Sequence, residues 1–320
     1  MIELPEGYRC RRPSLADAPA AQRLLDELET AQCGEPRRHD NRLEIDFRDA
    51  RLDLERDAWL LTAPPGAAAP VAALGVVWSP HANGEIPSDV YVHPEHCGRG
   101  LGGALIAAME RRAVELAAAL PAGVSGTLVV WAQPEDECTG ALDDRGFAAV
   151  RRFFEMKTGV GGALAAPRWP DGIAMRTLRP GRDERRLHAA DTEAFAEHYM
   201  FEPRSYEEWR QSHIDRADFD PALWLIAWDG DEIAGYAAAM ISVDGGFVDD
   251  LAVRRPWRGR GLGTALLLAE FRELAARGAR VARLYVDAQN ETGAVALYEH
   301  AGMVVARRFT AYGKALPDEG

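Results

Sequence analysis

One nine-residue stretch occurs twice in this chain. Cys97-Gly98-Arg99-Gly100-Leu101-Gly102-Gly103-Ala104-Leu105 in the first half is answered by Arg258-Gly259-Arg260-Gly261-Leu262-Gly263-Thr264-Ala265-Leu266 in the second. Its neighbours repeat in the same order. Arg11-Arg12-Pro13 upstream matches Leu178-Arg179-Pro180, and Arg145-Gly146-Phe147 downstream matches Ala301-Gly302-Met303. The copies close on Phe153-Phe154-Glu155-Met156-Lys157 and Phe309-Thr310-Ala311-Tyr312-Gly313-Lys314. The offset drifts from 167 (Pro13 to Pro180) through 161 (Gly100 to Gly261) to 156 (Gly146 to Gly302). Landmarks that keep their order while their spacing drifts mark a duplicated domain with loop insertions. A chain of 320 residues has room for two domains of ordinary size. The expected division is 1–157, a linker over 158–172, and 173–320. Residues 158–168 are rich in Gly and Ala, and Trp169-Pro170-Asp171-Gly172 reads as a turn.

Each copy alternates strands with helices. In the second, strands are expected over 173–178, 223–228, 233–241, 247–253, 281–286 and 304–309, with Asp229-Gly230-Asp231-Glu232 as the turn of a hairpin. Helices are expected over 183–197, 206–217, 264–277 and 291–301. Leu266, Leu267, Glu270, Phe271 and Leu274 recur at helical spacing in the third of these. The pattern predicts an α/β domain around a mixed sheet.

Charge narrows the function classes. Acidic residues number 50 against 37 basic, a net of −13, and neither half is basic. A reader of DNA or RNA needs a basic face to displace counterions, so no nucleic-acid partner is expected. Only Lys157 and Lys314 are lysines. No apolar run approaches the roughly 20 residues of a membrane span, and the start lacks a signal-peptide pattern. Cys10, Cys33, Cys97 and Cys138 show no metal-ligand spacing. A cytoplasmic protein without a metal, a disulfide framework or a membrane partner is expected.

The glycines of the repeat fall between a strand and a helix. Closely spaced glycines let backbone N–H groups converge on an anion, and the helix dipole adds positive potential. A phosphate or pyrophosphate is the natural guest. The first copy spells the dinucleotide fingerprint at Gly98, Gly100 and Gly103, but no acidic residue ends a strand about 20 residues later. A Walker loop fails for want of Gly-Lys-Ser/Thr.

The pattern common to both copies is Arg/Gln-x-x-Gly-x-Gly after a strand ending in Val. Arg258-Gly259-Arg260-Gly261-Leu262-Gly263, preceded by Val248-Asp249-Asp250-Leu251-Ala252-Val253, resembles the pyrophosphate motif of the GNAT superfamily of N-acetyltransferases. A second signature follows at the proper distance: Asn290 after a strand, then Leu297-Tyr298 on a helix, then Gly302-Met303, with Met in place of the usual aromatic. The full pattern covers about 173–314 and a degraded one 8–157. The resemblance implies two tandem domains, each a mixed, mostly antiparallel sheet flanked by helices. The tandem arrangement is similar to that of mycothiol synthase-like actinobacterial acetyltransferases, which acetylate a cysteinyl amine.

The resemblance also assigns roles. Backbone groups from Arg258, Gly259, Arg260, Gly261 and Gly263 to Thr264 would hold the pyrophosphate of acetyl-CoA. Leu251 and Val253 would align its pantetheine arm at a splay in the sheet. Asn290 would support the cofactor, and Tyr298 would protonate the departing sulfur. Relatives carry a Glu six residues before the final Val of strand four, where this chain has Phe247. Asp249 and Asp250 are the substitutes for a general base. Since alternate strand residues face opposite sides, only one is expected to reach the site, and Asp249 shares the phase of Phe247. Glu197, His198 and Tyr199 are candidate acceptor contacts. The first copy has Cys97 for Arg258, Leu142 for Tyr298, Pro134 for Asn290, and Pro87 inside its fourth strand. One active site, in the second domain, is therefore expected, acting on the primary amine of a small polar metabolite in a monomer or homodimer. The alternatives are mycothiol-type acetylation of a cysteinyl amine and a non-catalytic acyl-CoA sensor.

Overall fold

The two copies fold into the same succession of elements. The computed structural model describes residues 2–33, 42–133, 136, 138–198, 201, 203–216, 218–242, 245–290 and 293–317. The first copy runs β1 (Arg9–Arg11), α1 (Ala18–Cys33), α2 (Arg42–Arg48), β2 (Ala58–Thr62), β3 (Val71–Val77), β4 (Glu85–Val92), α3 (Leu101–Ala117), β5 (Thr127–Ala132), α4 (Cys138–Asp144) and β6 (Ala148–Gly159). The second runs β7 (Ile173–Thr177), α5 (Glu184–Phe195), α6 (Tyr206–His213), β8 (Trp224–Asp229), β9 (Glu232–Ser242), β10 (Gly245–Val253), α7 (Leu262–Ala276), β11 (Val281–Asp287), α8 (Ala294–His300) and β12 (Val304–Ala315). Helix α6 stops earlier than the sequence suggests, and β12 runs further. Residues 160–172 form no helix or strand. Arg272 holds them on α7 through Nε to Ala165 O (3.1 Å) and Nη2 to Leu164 O (2.9 Å).

The closing strands depart from the order of the sequence. One compact unit comprises residues 1–152 with 308–320, and the other 153–307. In unit 1, β5 pairs antiparallel with residues 310–315 at the end of β12. In unit 2, β11 pairs antiparallel with residues 153–159 at the end of β6. Each sequence copy thus gives up its last strand, and the structural division crosses the boundary expected near 157. The two closing segments are alike in pattern, so the sequence of either suits either sheet.

Within each unit, helices cover both faces of the sheet. In unit 2, Leu262, Leu266, Leu267, Phe271 and Leu274 of α7 bury one face with Val248 and Leu284. On the other face, Leu187 of α5 and Trp209 of α6 pack on Trp224, Ile226 and Tyr236. Each such apolar side chain removed from water contributes about 1.5–3 kcal/mol. In unit 1, α3 and the pair α1–α2 cover the two faces in the same way. Within each unit, the strand pairings of the described residues are antiparallel except β4–β5 and β10–β11. Pro87 does lie in β4, and its carbonyl accepts from Trp78 N–H (2.8 Å) just beyond the end of β3. The missing donor therefore falls where that pairing stops. No helix among the described residues is long and apolar enough to cross a membrane, and no metal-binding cluster of His, Cys, Asp or Glu occurs among them.

Candidate active site

The loop after β10 is built on glycine. Gly259 and Gly261 hold φ of 75° and 81°, a region that costs other L-residues about 1–2 kcal/mol. Nothing lies within 4 Å of where a Cβ would stand at either one, so the outer surface of the turn is open. Gly263 serves packing instead: a Cβ there would stand 2.8 Å from Leu297 Cδ1 on α8. The first backbone hydrogen bond of α7 runs from Ala265 N–H to Gly261 O (3.0 Å). The N–H groups of Gly259 through Thr264 find no acceptor among the described residues. Six consecutive donors at a helix N-terminus are suited to a phosphate or pyrophosphate.

Arg258 does not join that array. Its N–H donates to Arg255 O (3.2 Å). Its guanidinium turns back to Val253 O (2.9 Å), Glu197 Oε2 (3.3 Å) and Ala194 O (3.3 Å). Glu197, expected to contact the acceptor, is committed to Arg255 and Arg258. Arg255 first and then Arg258 hold its carboxyl below the usual range. These contacts tie the end of α5 to the glycine loop. Arg260 has no side-chain partner among the described residues. His198 packs edge-on against Phe195 (4.6 Å between centroids), and burial lowers its pKa. Tyr199 lies outside the described residues, as does Pro134.

Strands β10 and β11 separate where the chemistry is expected. Only Gly246 with Ala282 and Phe247 with Arg283 are paired, and beyond them the strands part. Arg254 N–H donates to Ala234 O on β9 (3.0 Å), so by alternation Leu251 and Val253 turn their backbone groups toward the gap. Asn290 follows the end of β11, its N–H donating to Asp287 O (3.1 Å).

A bulge overturns the expected strand phase. On β9, Ala239 faces Val248 and Ala238 faces Asp250, leaving Asp249 as the extra residue. Ala238 and Ala252 pack toward α5 and α6, Val248 and Leu251 toward α7. Asp250 is thereby brought onto the α5–α6 face, where Asp249 also approaches Arg216 of the α6–β8 connection. Alternation alone would have allowed only one of them there. In the unbulged β4, Ser88 at the place of Asp249 is sealed beneath α3.

The two carboxylates differ. Asp249 Oδ2 lies 3.3 Å from Arg216 Nη1, whose guanidinium also holds Asp218 (2.7 Å). Asp250 Oδ2 is sealed from solvent with no hydrogen-bond partner; His213 Nε2 stands 3.7 Å away. Burial pushes the Asp250 pKa well up, and the carboxylates of Asp249 and Asp191 push further. His213 Nδ1 lies 2.9 Å from Trp209 O, and burial lowers the pKa of its ring. Tyr298 is 8% exposed. Burial, then the charge of Asp250, raises its phenol to about 12. The hydroxyl therefore stays a proton donor at neutral pH.

Asp250 borders a cavity of about 150 Å³ between α5, α6 and β10. Asp191 of α5 lines it and accepts a 2.5 Å hydrogen bond from Tyr236 Oη. Asp191, Tyr236 and His213 were not singled out in the sequence. Asp191 sits among other polar residues of α5, and only the fold aims it at β10.

The sequence profile described as the Acetyltransferase (GNAT) family matches residues 185–303. A protein named mycothiol acetyltransferase from Thermobispora bispora is 34% identical over 226 residues, spanning 67% of this chain and 71% of that one. The chain belongs to the GNAT acetyltransferase family. Its members use acetyl-CoA as acetyl donor. Among solved structures, a GCN5-related N-acetyltransferase from Sphaerobacter thermophilus superposes with a TM-score of 0.82 at 33% identity, covering 98% of this chain and 97% of that one. A tandem GNAT protein from the clavulanic acid biosynthesis pathway shares the fold, with a TM-score of 0.69 at 16% identity over 98% and 100% of the two chains. The profile match lies wholly within unit 2. In unit 1 Leu142, fully buried on α4, stands where Tyr298 stands on α8.

Proposed function

We propose that unit 2 transfers the acetyl group of acetyl-CoA directly to the primary amine of a small polar metabolite. One coincidence of placement carries this reading. The free N–H array, the opened β10–β11 gap, a protonated phenol and a carboxylate of high proton affinity gather around the C-terminal end of β10. Bound acetyl-CoA supplies an activated thioester carbonyl and a thiolate leaving group. The donors of Gly259 to Thr264, with Arg260 beside them, fit its phosphates, and the parted strands fit its pantetheine arm. Backbone groups of Leu251 and Val253 would orient that arm and polarise the carbonyl. Asp250 would take the amine proton as the N–C bond forms, and Tyr298 would give one to sulfur as the C–S bond breaks. Asp250 is preferred to Asp249 as base because Arg216 already occupies Asp249.

The names of the relatives favour a second reading, in which the acceptor is the cysteinyl amine of a mycothiol precursor. Phe247 stands where the resemblance expects a Glu and rests against Tyr285 (5.5 Å between centroids). The deciding experiment follows free thiol release from acetyl-CoA with a panel of amines that includes a cysteinyl glycoside. Release with one acceptor class names the substrate. Acetyl-CoA binding without release for any amine would sink the enzyme and leave an acyl-CoA sensor.

A further inference from the structure

The cavity between α5, α6 and β10 is lined by donors and by acceptors, and neither set is fully met within the chain. On the donor side stands Arg204, just before α6. Among the described residues its guanidinium has one hydrogen-bond partner, the neutral hydroxyl of Ser212 (3.2 Å). Trp209 of α6 borders the same space; it is 1% exposed, and its indole N–H has no acceptor. On the acceptor side stand Asp191, which receives the hydroxyl of Tyr236 (2.5 Å), and Asp250, whose Oδ2 has no hydrogen-bond partner. Polar groups shut away from water without partners are costly and rare. A donor and an acceptor left unmet around one cavity call for a ligand that brings both.

Charge and size say how that ligand is built. The transfer needs an amine at Asp250. Two arginines stand near that carboxylate, and only one of them is uncommitted to an acid: Arg216 is held by Asp218 and Asp249, whereas Arg204 meets no carboxylate. A simple monoamine would leave Arg204 and the indole N–H unmet. A second ammonium would set a like charge beside Arg204. An amide carbonyl would satisfy the indole and leave the guanidinium without an anion. A carboxylate meets both, and its bond to a guanidinium is the stronger, charge-assisted kind. The cavity measures about 150 Å³, room for a group the size of benzene. Amine and carboxylate must therefore sit close together on the ligand, and an amino group and a carboxylate on a single carbon fit that space. Each charge of such a zwitterion faces its opposite, the nitrogen toward Asp250 and Asp191 and the carboxylate toward Arg204.

We propose that the acceptor is a free α-amino acid, its carboxylate held by Arg204 and the indole N–H of Trp209 and its α-amine presented at Asp250. The proposal rests on the acetyltransferase reading of unit 2 and narrows its substrate class; the products are an N-acetyl amino acid and free CoA thiol. The test follows thiol release from acetyl-CoA by the full-length protein with each of the common L-amino acids. The best of them is then compared with its own carboxamide, its decarboxylated amine and a cysteinyl glycoside. The amino acid should exceed all three by at least about 10-fold in kcat/KM, chiefly through KM, the effect of one well-placed charge pair. Arg204→Met should erase that preference while leaving acetyl-CoA affinity, read by calorimetry, unchanged. A carboxamide, amine or glycoside turned over as well as the amino acid would overturn the proposal and leave the transferase standing. So would a preference that survives Arg204→Met. Absence of thiol release with every amine would refute the acetyltransferase reading, and calorimetry with the same L-amino acids then decides the seat. An amino acid that binds more tightly than its carboxamide, with the difference lost in Arg204→Met, would keep the seat without the transfer; no such difference would remove both.

Discussion

At the scale of single residues, the site depends on two groups whose affinity for a proton burial has raised. Tyr298 keeps its proton because burial and Asp250 both disfavour the phenolate. Tyr298→Phe should lower kcat by about 100-fold or more while leaving acetyl-CoA binding intact; unchanged turnover would exclude the phenol as the acid. Asp250 has a folded-state pKa above its unfolded value. Its contribution to stability is therefore fully present below about pH 4 and is lost as pH rises through the folded pKa. Asp250→Asn should raise the melting temperature near neutral pH by a few degrees, and the gain should vanish in acid. The same substitution should abolish turnover. A thermal scan across pH, paired with the thiol assay, checks both. The expectation for Tyr298 rests on its motif spacing from Asn290 and Gly302. The groups around Asp250 were not legible in the sequence, since Asp191 and His213 come from elements far apart in the chain.

At the scale of elements, strand β10 shows where reading by period fails. Alternation counts residues, and a bulge adds one without leaving a mark in composition. Val248-Asp249-Asp250-Leu251 would serve equally well in a regular strand. Helix α7 shows the opposite case. Its spacing put Glu270 on the apolar stripe, and there it lies, 0% exposed with neither carboxylate oxygen partnered. Burial first, then Glu273, raises its pKa well above the usual range. Glu270→Leu should stabilise the protein by about 1–3 kcal/mol at neutral pH, measured by urea unfolding. Because the folded protein takes up the proton first, the gain should shrink as pH falls from neutral towards about 4 and be smallest below it. A loss of stability would mean that the carboxyl has a partner that outweighs its desolvation. Gly235 on β9 is constrained from the other side. A Cβ there would stand 2.5 Å from Ala252 O, so Gly235→Ala should disturb the end of β10 and weaken acetyl-CoA binding, read by calorimetry.

At the scale of the molecule, the repeat announced two similar units, and its landmarks placed the glycine loops correctly in both. It could not show which closing strand joins which sheet, because the two end alike. Residues 153–159 belong to unit 2 and residues 308–320 to unit 1. Expression of 173–320 alone should therefore give a poorly folded product, since β11 lacks its neighbour and Arg283 loses Glu155 (3.4 Å). Co-expression with 1–172 should restore soluble protein and thiol release. A 173–320 fragment with full turnover would show that the missing strand is dispensable.

The exchanged strands also bear on inheritance. A gene that doubles ordinarily leaves one copy free to decay and then to be deleted. Here the copy that has Leu142 where the other has Tyr298 still encodes a strand of the sheet that carries Tyr298. Point changes can accumulate around Cys97 and Leu142 at little cost to the second unit. A deletion that trims the first copy takes a strand with it, so selection on one half holds the other half in the reading frame.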